Sequence, residues 1–277
     1  MRAGVSEQAT IERRTASGIS SGVRMVEVAG LHKVFETQEG TTVNALENIH
    51  VHIDEGEFVS VVGPSGCGKS TLLRIVCGLT PATAGRVMVS GQAVRAPRPD
   101  VGVVFQSPVL LPWLTVRDNV LMPMDLRVRR TRAHEDRAQM LVDMAGLQGF
   151  ETKYPFELSG GMKQRVSICR ALMCKPAFLA MDEPFGALDA MTREAMNLEL
   201  LRICAETGAT VLFITHSVPE AVLMSDRVIV MTPRPGRVAD TIPIDLPRPR
   251  SLKDYGLEKF NGYTSRIREL LGAETLA

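Results

Sequence analysis

The chain has 277 residues, 32 of them Lys or Arg and 31 Asp or Glu, for a formal net charge of +1. That balance argues against nucleic-acid binding through an overall basic charge, and 45% hydrophobic with 23% charged residues is a folded composition. The longest uncharged run, Val101 to Val116, is broken by Gln106, Pro108 and Pro112 and falls short of the roughly 20 apolar residues of a membrane span.

Residues 1–24 are rich in Ser, Thr, Ala and Arg without periodicity. They contain no apolar stretch of about 7–15 residues, so a disordered extension is expected rather than a secretory signal. Strands are predicted at Met25–Val28, Ile49–Ile53, Phe58–Val62, Gly85–Val89, Val101–Phe105, Phe178–Met181, Val211–Thr215 and Val228–Met231. Phe58–Val62 and the last four are short, continuous apolar runs, the pattern of strands covered on both faces. Ile49–Ile53 alternates, with His50 and His52 opposite Ile49, Val51 and Ile53, which suits a half-exposed sheet.

Helical stripes follow the same order. Leu72, Ile75, Val76 and Leu79 are spaced for one helix face, with Gly78 as a stop. Met162, Val166, Cys169 and Met173 make a second stripe, and Met191, Ala195, Leu198 and Leu201 a third that ends at Gly208. Between Gln92 and Pro155 prolines and arginines accumulate, and a helix is predicted over Ala138–Ala145. After Pro243 a helix is expected near Tyr263–Leu271. Apolar strands alternating with amphipathic helices predict an α/β fold with a mainly parallel core sheet, an antiparallel part near the start and an inserted helical subdomain. The expected division is 1–24 extension, 25–91 and 156–242 core, 92–155 helical subdomain and 243–277 tail.

Five cysteines, Cys67, Cys77, Cys169, Cys174 and Cys204, form no CxxC pair and are an odd number. Reduced, buried thiols are expected rather than disulfides or a zinc site. His50 and His52 lack an evident third ligand, and His32 and His134 follow no pattern.

The strand Phe58–Val62 runs into Gly63-Pro64-Ser65-Gly66-Cys67-Gly68-Lys69-Ser70-Thr71, a G-x-x-x-x-G-K-S sequence with a helix behind it. The glycines allow a tight turn whose amides face one centre. The helix start adds a positive end, Lys69 a mobile charge for β- and γ-phosphates, Ser70 a hydroxyl for Mg²⁺ and Thr71 a further phosphate contact. Cys67 is open to two readings, a thiol activated at a helix start or a small loop residue. The strand Phe178–Met181 ends in Asp182-Glu183-Pro184. Two carboxylates at the end of a buried strand are costly without a cation, and open α/β sheets bind ligands at that end. Asp182 suits Mg²⁺; Glu183 suits the deprotonation of water.

Leu158-Ser159-Gly160-Gly161-Met162-Lys163-Gln164-Arg165 then resembles the LSGGQQR signature of ABC transporter ATP-binding subunits, departing from it at Met162 and Lys163. Gln106 after Val103-Val104-Phe105 resembles that family's Q-loop, Ala187-Leu188-Asp189 its D-loop and His216 after Phe213-Ile214-Thr215 its switch histidine. The resemblance covers about residues 25–240. It implies a P-loop ABC ATPase that hydrolyses ATP with Mg²⁺. Phe35 would stack on adenine, although a Phe at that spacing also fits a core. Gly63 to Thr71 would hold the phosphates, and Ser70 and Gln106 the metal with Asp182 nearby. Glu183 would be the base, His216 would contact the γ-phosphate and the attacking water, and Asp189 would link two sites. Ser159, an N-cap by position, with Gly160 and Gly161 would face the ATP held by a second ATP-binding subunit, expected to be a second copy.

Leu110-Leu111-Pro112-Trp113 with Val116-Arg117-Asp118-Asn119-Val120 resembles the nitrate, sulfonate and taurine importer group, as do Pro233-Arg234-Pro235-Gly236-Arg237 and Asp245-Leu246-Pro247-Arg248-Pro249-Arg250. Trp113 lies where such subunits meet the permease, or else packs inside the helical subdomain. The implied function is to energise uptake of a small solute through a separate permease served by a solute-binding protein. The chain would then sit peripherally at the cytoplasmic face of the membrane without nucleic acid. The alternative is a non-transport ABC ATPase acting on DNA or the ribosome.

Overall fold

The computed structural model describes residues 23–186 and 188–273. Two sheets organise them. β1 (Arg24–Glu36), β2 (Thr42–Asp54), β4 (Ala84–Val89) and β5 (Gln92–Ala93) form an antiparallel sheet in the order β2-β1-β4-β5. β3 (Phe58–Val62), β6 (Val101–Val104), β7 (Phe178–Asp182), β8 (Thr210–Ile214) and β9 (Arg227–Met231) are parallel, in the order β9-β3-β8-β7-β6. β10 (Val238–Pro243) adds antiparallel to β9 at one edge.

The continuous apolar strands do have two covered faces. Val59 and Val61 of β3, with Phe178 and Ala180 of β7, face α1 (Lys69–Val76) and the antiparallel sheet, packing with Leu73, Leu31 and Leu46. Phe58, Val62, Leu179 and Met181 point the other way, into a core shared with the remaining helices. There Phe213 packs tilted against Phe58 at 5.7 Å and Phe185 at 6.0 Å between ring centroids. Each such side chain removed from water contributes about 1.5–3 kcal/mol.

α2 (Val116–Asp125), α3 (Arg132–Met144) and α4 (Gly160–Leu172) pack on one another beyond β6. α2 escapes the apolar-stripe reading because Pro123 lies inside it, where a missing N–H normally argues against helix. Thr115 starts it by accepting a bond from Asp118 N. α5 (Ala190–Thr207) begins at Asp189 and ends at the left-handed Gly208, φ +66°. α6 (Val218–Met224) follows β8, and α7 (Glu258–Ala273) closes the described chain on α6 and β9. Among the described residues no helix is long and apolar enough to cross a membrane.

Three expected boundaries differ. Arg24 already pairs with Asp54 in β1, so the extension assigned to 1–24 loses its last residues; residues 1–22 lie outside the described residues. β5 and β6 fall within the stretch assigned to the helical subdomain, yet β6 is a strand of the parallel sheet, so the helical insert starts after it. The line at 242/243 cuts through β10, and the tail beyond it is built into the core. Arg250 is buried there and donates to the carbonyls of Val222, Leu223, Ser225, Ile244 and Leu246 at 2.6–3.2 Å. Burial lowers its guanidinium pKa to about 10.

Candidate active site

Four neighbouring parallel strands, β3, β8, β7 and β6, end on the same edge of the sheet, and each delivers one part of the site. Parallel pairing is what makes distant segments meet, since every C-terminal strand end lands on one side.

After β3 the loop Gly63–Gly68 turns into α1. Gly68 has φ +106°, and a Cβ there would lie 2.6 Å from Leu46 Cδ2 and 2.9 Å from the Ala45 carbonyl. No side chain fits that turn, which seats the loop against β2. Lys69, the first residue of α1, donates its ammonium to the carbonyls of Gly63 at 2.8 Å and Pro64 at 2.9 Å. Ser65 and Gly66 are exposed at the tip, and Ser70 and Thr71 are half-buried in the first turn of the helix. Cys67 is buried, and burial raises its thiol pKa against the lowering effect of Lys69. Its burial favours the small loop residue over an activated thiolate.

After β7 come the two carboxylates. Asp182 is 4% exposed and accepts a bond from Ser70 Oγ at 3.0 Å. Burial raises its pKa and the neighbouring Glu183 charge adds to that, while Ser70 opposes. Glu183 has φ +45° and is held by its amide on the Ile214 carbonyl at 2.9 Å. A non-glycine residue in that region is held there by its surroundings, at a cost of about 1–3 kcal/mol. Its Oε2 accepts from Gln106 Nε2 at 3.1 Å, after β6, and lies 3.3 Å from His216 Nδ1, after β8. Gln106 and His216, far apart in sequence, thus converge on one carboxylate oxygen of Glu183.

The remaining expected residues lie elsewhere on this chain. Ser159 caps α4 by accepting from Met162 N at 3.3 Å, Gly160 is open, and a Cβ on Gly161 would meet Leu188 Cδ2 at 2.6 Å. Asp189 caps α5 through Thr192 N at 3.0 Å, and its hydrogen bonds to the Thr192 side chain and amide hold its carboxyl pKa low. Ala187 lies outside the described residues. Among the described residues no hydrogen bond or ion pair joins Ser159, Gly160, Gly161 or Asp189 to the P-loop. Phe35 is 40% exposed, which excludes the core reading, with the Lys33 ammonium 4.7 Å from its ring centroid. Trp113 is 69% exposed and so is not a core residue either. Its loop is pinned by the buried Asn119, whose side chain accepts from Leu111 N and donates to the carbonyls of Leu111, Leu114 and Thr115. His50 bonds Asn48 at 2.9 Å, and His52 faces Arg227 at 3.3 Å.

Several supporting residues carry no sequence expectation of their own. Gln164, buried in α4, donates to the Phe105 carbonyl at 2.9 Å and so ties the signature helix to the residue before Gln106. It lies within the signature motif, which was the available signal. Arg234, between β9 and β10, donates to the Gly66 carbonyl at 3.0 Å. Glu220 accepts from the Thr215 hydroxyl beside His216. Arg234 lies in the Pro233–Arg237 run, which was the available signal, and nothing in spacing marks Glu220.

Residues 46–186 match the ABC transporter family. An uncharacterised ABC transporter ATP-binding protein of Methanocaldococcus jannaschii is 47% identical over 91% of this chain and 92% of its own. A nitrate import ATP-binding protein of Synechocystis sp. is 45% identical over 90% of this chain and 96% of its own. Relatives in the same range are named as import ATP-binding proteins for aliphatic sulfonates and taurine. A solved dimeric, post-hydrolysis ATP-binding cassette bound to ADP and Pi superposes with TM-score 0.72 at 34% identity, over 79% of this chain and 99% of that one.

Proposed function

This chain belongs to the ABC transporter family as the ATP-hydrolysing subunit of an importer, and on that premise we propose how its own residues do the work. The convergence of Gln106, Glu183 and His216 beside the P-loop carries the reading. Glu183 deprotonates the attacking water, and Gln106 and His216 fix its carboxylate. Lys69 and the Gly63–Thr71 amides hold the phosphates, and Phe35 stacks on adenine. The reading as a non-transport ABC ATPase is not retained, because relatives matched along most of the chain are named for import.

The donor set suits a hard cation. Ser70 hydroxyl, Asp182 carboxylate and Gln106 amide are all oxygen ligands of the kind Mg²⁺ takes. Asp182 is a buried carboxylate whose bonded partner is a neutral hydroxyl. Bound by those residues, Mg²⁺ would supply charge neutralisation at the phosphates.

Two copies of the chain pair so that Ser159, Gly160 and Gly161 of one meet the ATP on the P-loop of the other, with Asp189 linking the sites. The separation of the signature from the P-loop within one chain supports this. The exposed Trp113, on a loop anchored by Asn119 and following Gln106, is the contact to a permease at the cytoplasmic face of the membrane. The solute is a small one such as nitrate, a sulfonate or taurine, delivered by a solute-binding protein.

Glu183→Gln tests the site. A general base contributes about 10²–10⁴ in rate, so turnover falls by that factor while ATP affinity is kept, the amide retaining Glu183's size. Normal turnover in that variant removes Glu183 from the role.

A further inference from the structure

A cleft of about 360 Å³ lies between α5, α6 and α7, behind the switch histidine. Two of its lining groups are built in an unusual way. Glu220 is 6% exposed and Asn197 1% exposed, and beyond the contact of the two side chains with each other, Glu220 Oε1 and Asn197 Oδ1 have no hydrogen-bond partner among the described residues. Buried acceptors are nearly always satisfied, and a bare carboxylate oxygen is the costliest to leave.

The lining around them is mixed in charge. Glu194 and Glu220 supply two carboxylates, and Arg193 and Arg268 two guanidinium groups. Arg193 is committed to the carbonyls of Phe185 at 3.2 Å and Leu188 at 2.8 Å. Arg268 is exposed on α7. Tyr255 and Phe260 form an edge-to-face pair, 5.1 Å between centroids, along one wall. An ammonium group brings three N–H donors and no acceptor. It satisfies two adjacent bare acceptors and is favoured beside aromatic rings. A guanidinium pairs with a carboxylate. A ligand with both ends matches the lining without leaving a net charge behind.

We propose that this cleft is a binding site for a small α-amino acid, its ammonium on Glu220 and Asn197 and its carboxylate toward Arg268. The site is wired to hydrolysis through Glu220. The other oxygen of that carboxylate holds the Thr215 hydroxyl, and Thr215 Oγ1 accepts from Ser217 N at 3.0 Å. The residues on both sides of His216 therefore hang on the group that the ligand engages. Occupancy alters the ATPase rate through His216, a consequence that rests on the role proposed above for that residue.

The test is calorimetric titration of the full chain, without ATP, against L-glutamine, L-glutamate, L-alanine, L-leucine, butylamine and butyrate. At least one amino acid binds with Kd of about 1 mM or tighter, and butylamine and butyrate bind about tenfold more weakly. Glu220→Gln and Asn197→Ala each weaken that binding about tenfold, and Arg268→Ala weakens it about fivefold while leaving basal ATPase unchanged. No heat from any amino acid at about 10 mM, or binding indifferent to Arg268→Ala and Asn197→Ala, overturns the proposal and leaves the cleft to water. Binding is read without turnover, so it stands or falls apart from the role of Glu183. A ligand that binds but leaves the ATPase rate unchanged overturns the link to His216.

Discussion

Gly236→Ala asks how firmly the phosphate loop is held. Gly236 lies between β9 and β10. A Cβ on it would sit 2.0 Å from the Cys67 carbonyl oxygen, 3.2 Å from that carbonyl carbon and 3.0 Å from Met231 Cε. Met231 ends in a flexible methyl, but Cys67 contributes backbone of the P-loop. The φ of Gly236 is outside the left-handed region, so the obstacle is space and not torsion. The two backbones must part by about 1 Å to reach the shortest contact that side chains tolerate. Gly236 is tied where it stands, its N–H donating to the Ala45 carbonyl at 3.1 Å and its carbonyl accepting from Glu47 N at 3.0 Å. Overpacking costs about 1–3 kcal/mol. Stretching those two bonds adds about 0.5–1.5 kcal/mol each, for about 2–6 kcal/mol in all. At about 2 °C per kcal/mol for a chain of this size, Tm falls by about 4–12 °C. The displaced peptide belongs to the cradle, so ATP affinity drops about tenfold, a loss of about 1.4 kcal/mol. Thermal unfolding without nucleotide and equilibrium ATP binding read the two effects. A variant with unchanged Tm and unchanged ATP affinity would show that the β9–β10 loop does not position the P-loop.

Three further outcomes follow from the same geometry. Arg234→Ala removes the donors to the Gly66 carbonyl at 3.0 and 3.3 Å; KM for ATP rises about three- to tenfold with kcat kept, and Arg234→Lys recovers part of it in steady-state assays. Asp182 has its folded pKa raised, chiefly by burial, so the native state holds the proton more tightly than the unfolded chain. Stability from this group is therefore present below the unfolded value and lost as pH rises through the folded one; Asp182→Asn should raise Tm at neutral pH without Mg²⁺ and abolish Mg²⁺-dependent hydrolysis. Arg250→Met strands five backbone carbonyls; at about 1–3 kcal/mol for each group left dry, with water reaching some of them, a net loss of about 3–5 kcal/mol is expected in denaturant unfolding.

Much of the fold was legible because its core strands are short apolar runs and its helices start and stop on recognisable residues. Phe58–Val62 is observed with the same bounds, and Gly208 ends α5 as its spacing predicts. β10 was not legible, since Val238-Ala239-Asp240-Thr241-Ile242-Pro243 has neither a continuous apolar run nor clean alternation. α2 was hidden by Pro123. In the site, Gln106, Glu183 and His216 could each be named from motif position, but their meeting on one carboxylate oxygen could not. That contact depends on the lateral order β3-β8-β7-β6, which no local pattern encodes. The exposure of Phe35 and Trp113 was likewise open, because a lone aromatic reads the same inside or outside a core.

The residues that do chemistry and the residues that hold them obey different rules. The first must sit at strand ends next to turns, so they fall inside compact motifs. The second need only reach a backbone carbonyl, and long donors from distant loops do this. Arg234 reaches Gly66, Gln164 reaches Phe105, and Arg250 reaches Val222, Leu223 and Ser225 at the end of α6. The last case joins the tail to the loop of His216. The C-terminal carbonyls of a helix lack partners within it, and Arg250 supplies them for a helix of seven residues that is too short to be stable alone. That same helix carries Glu220, which holds the loop of His216. A segment that composition alone marks as an appendage is therefore part of the support for the loop of His216.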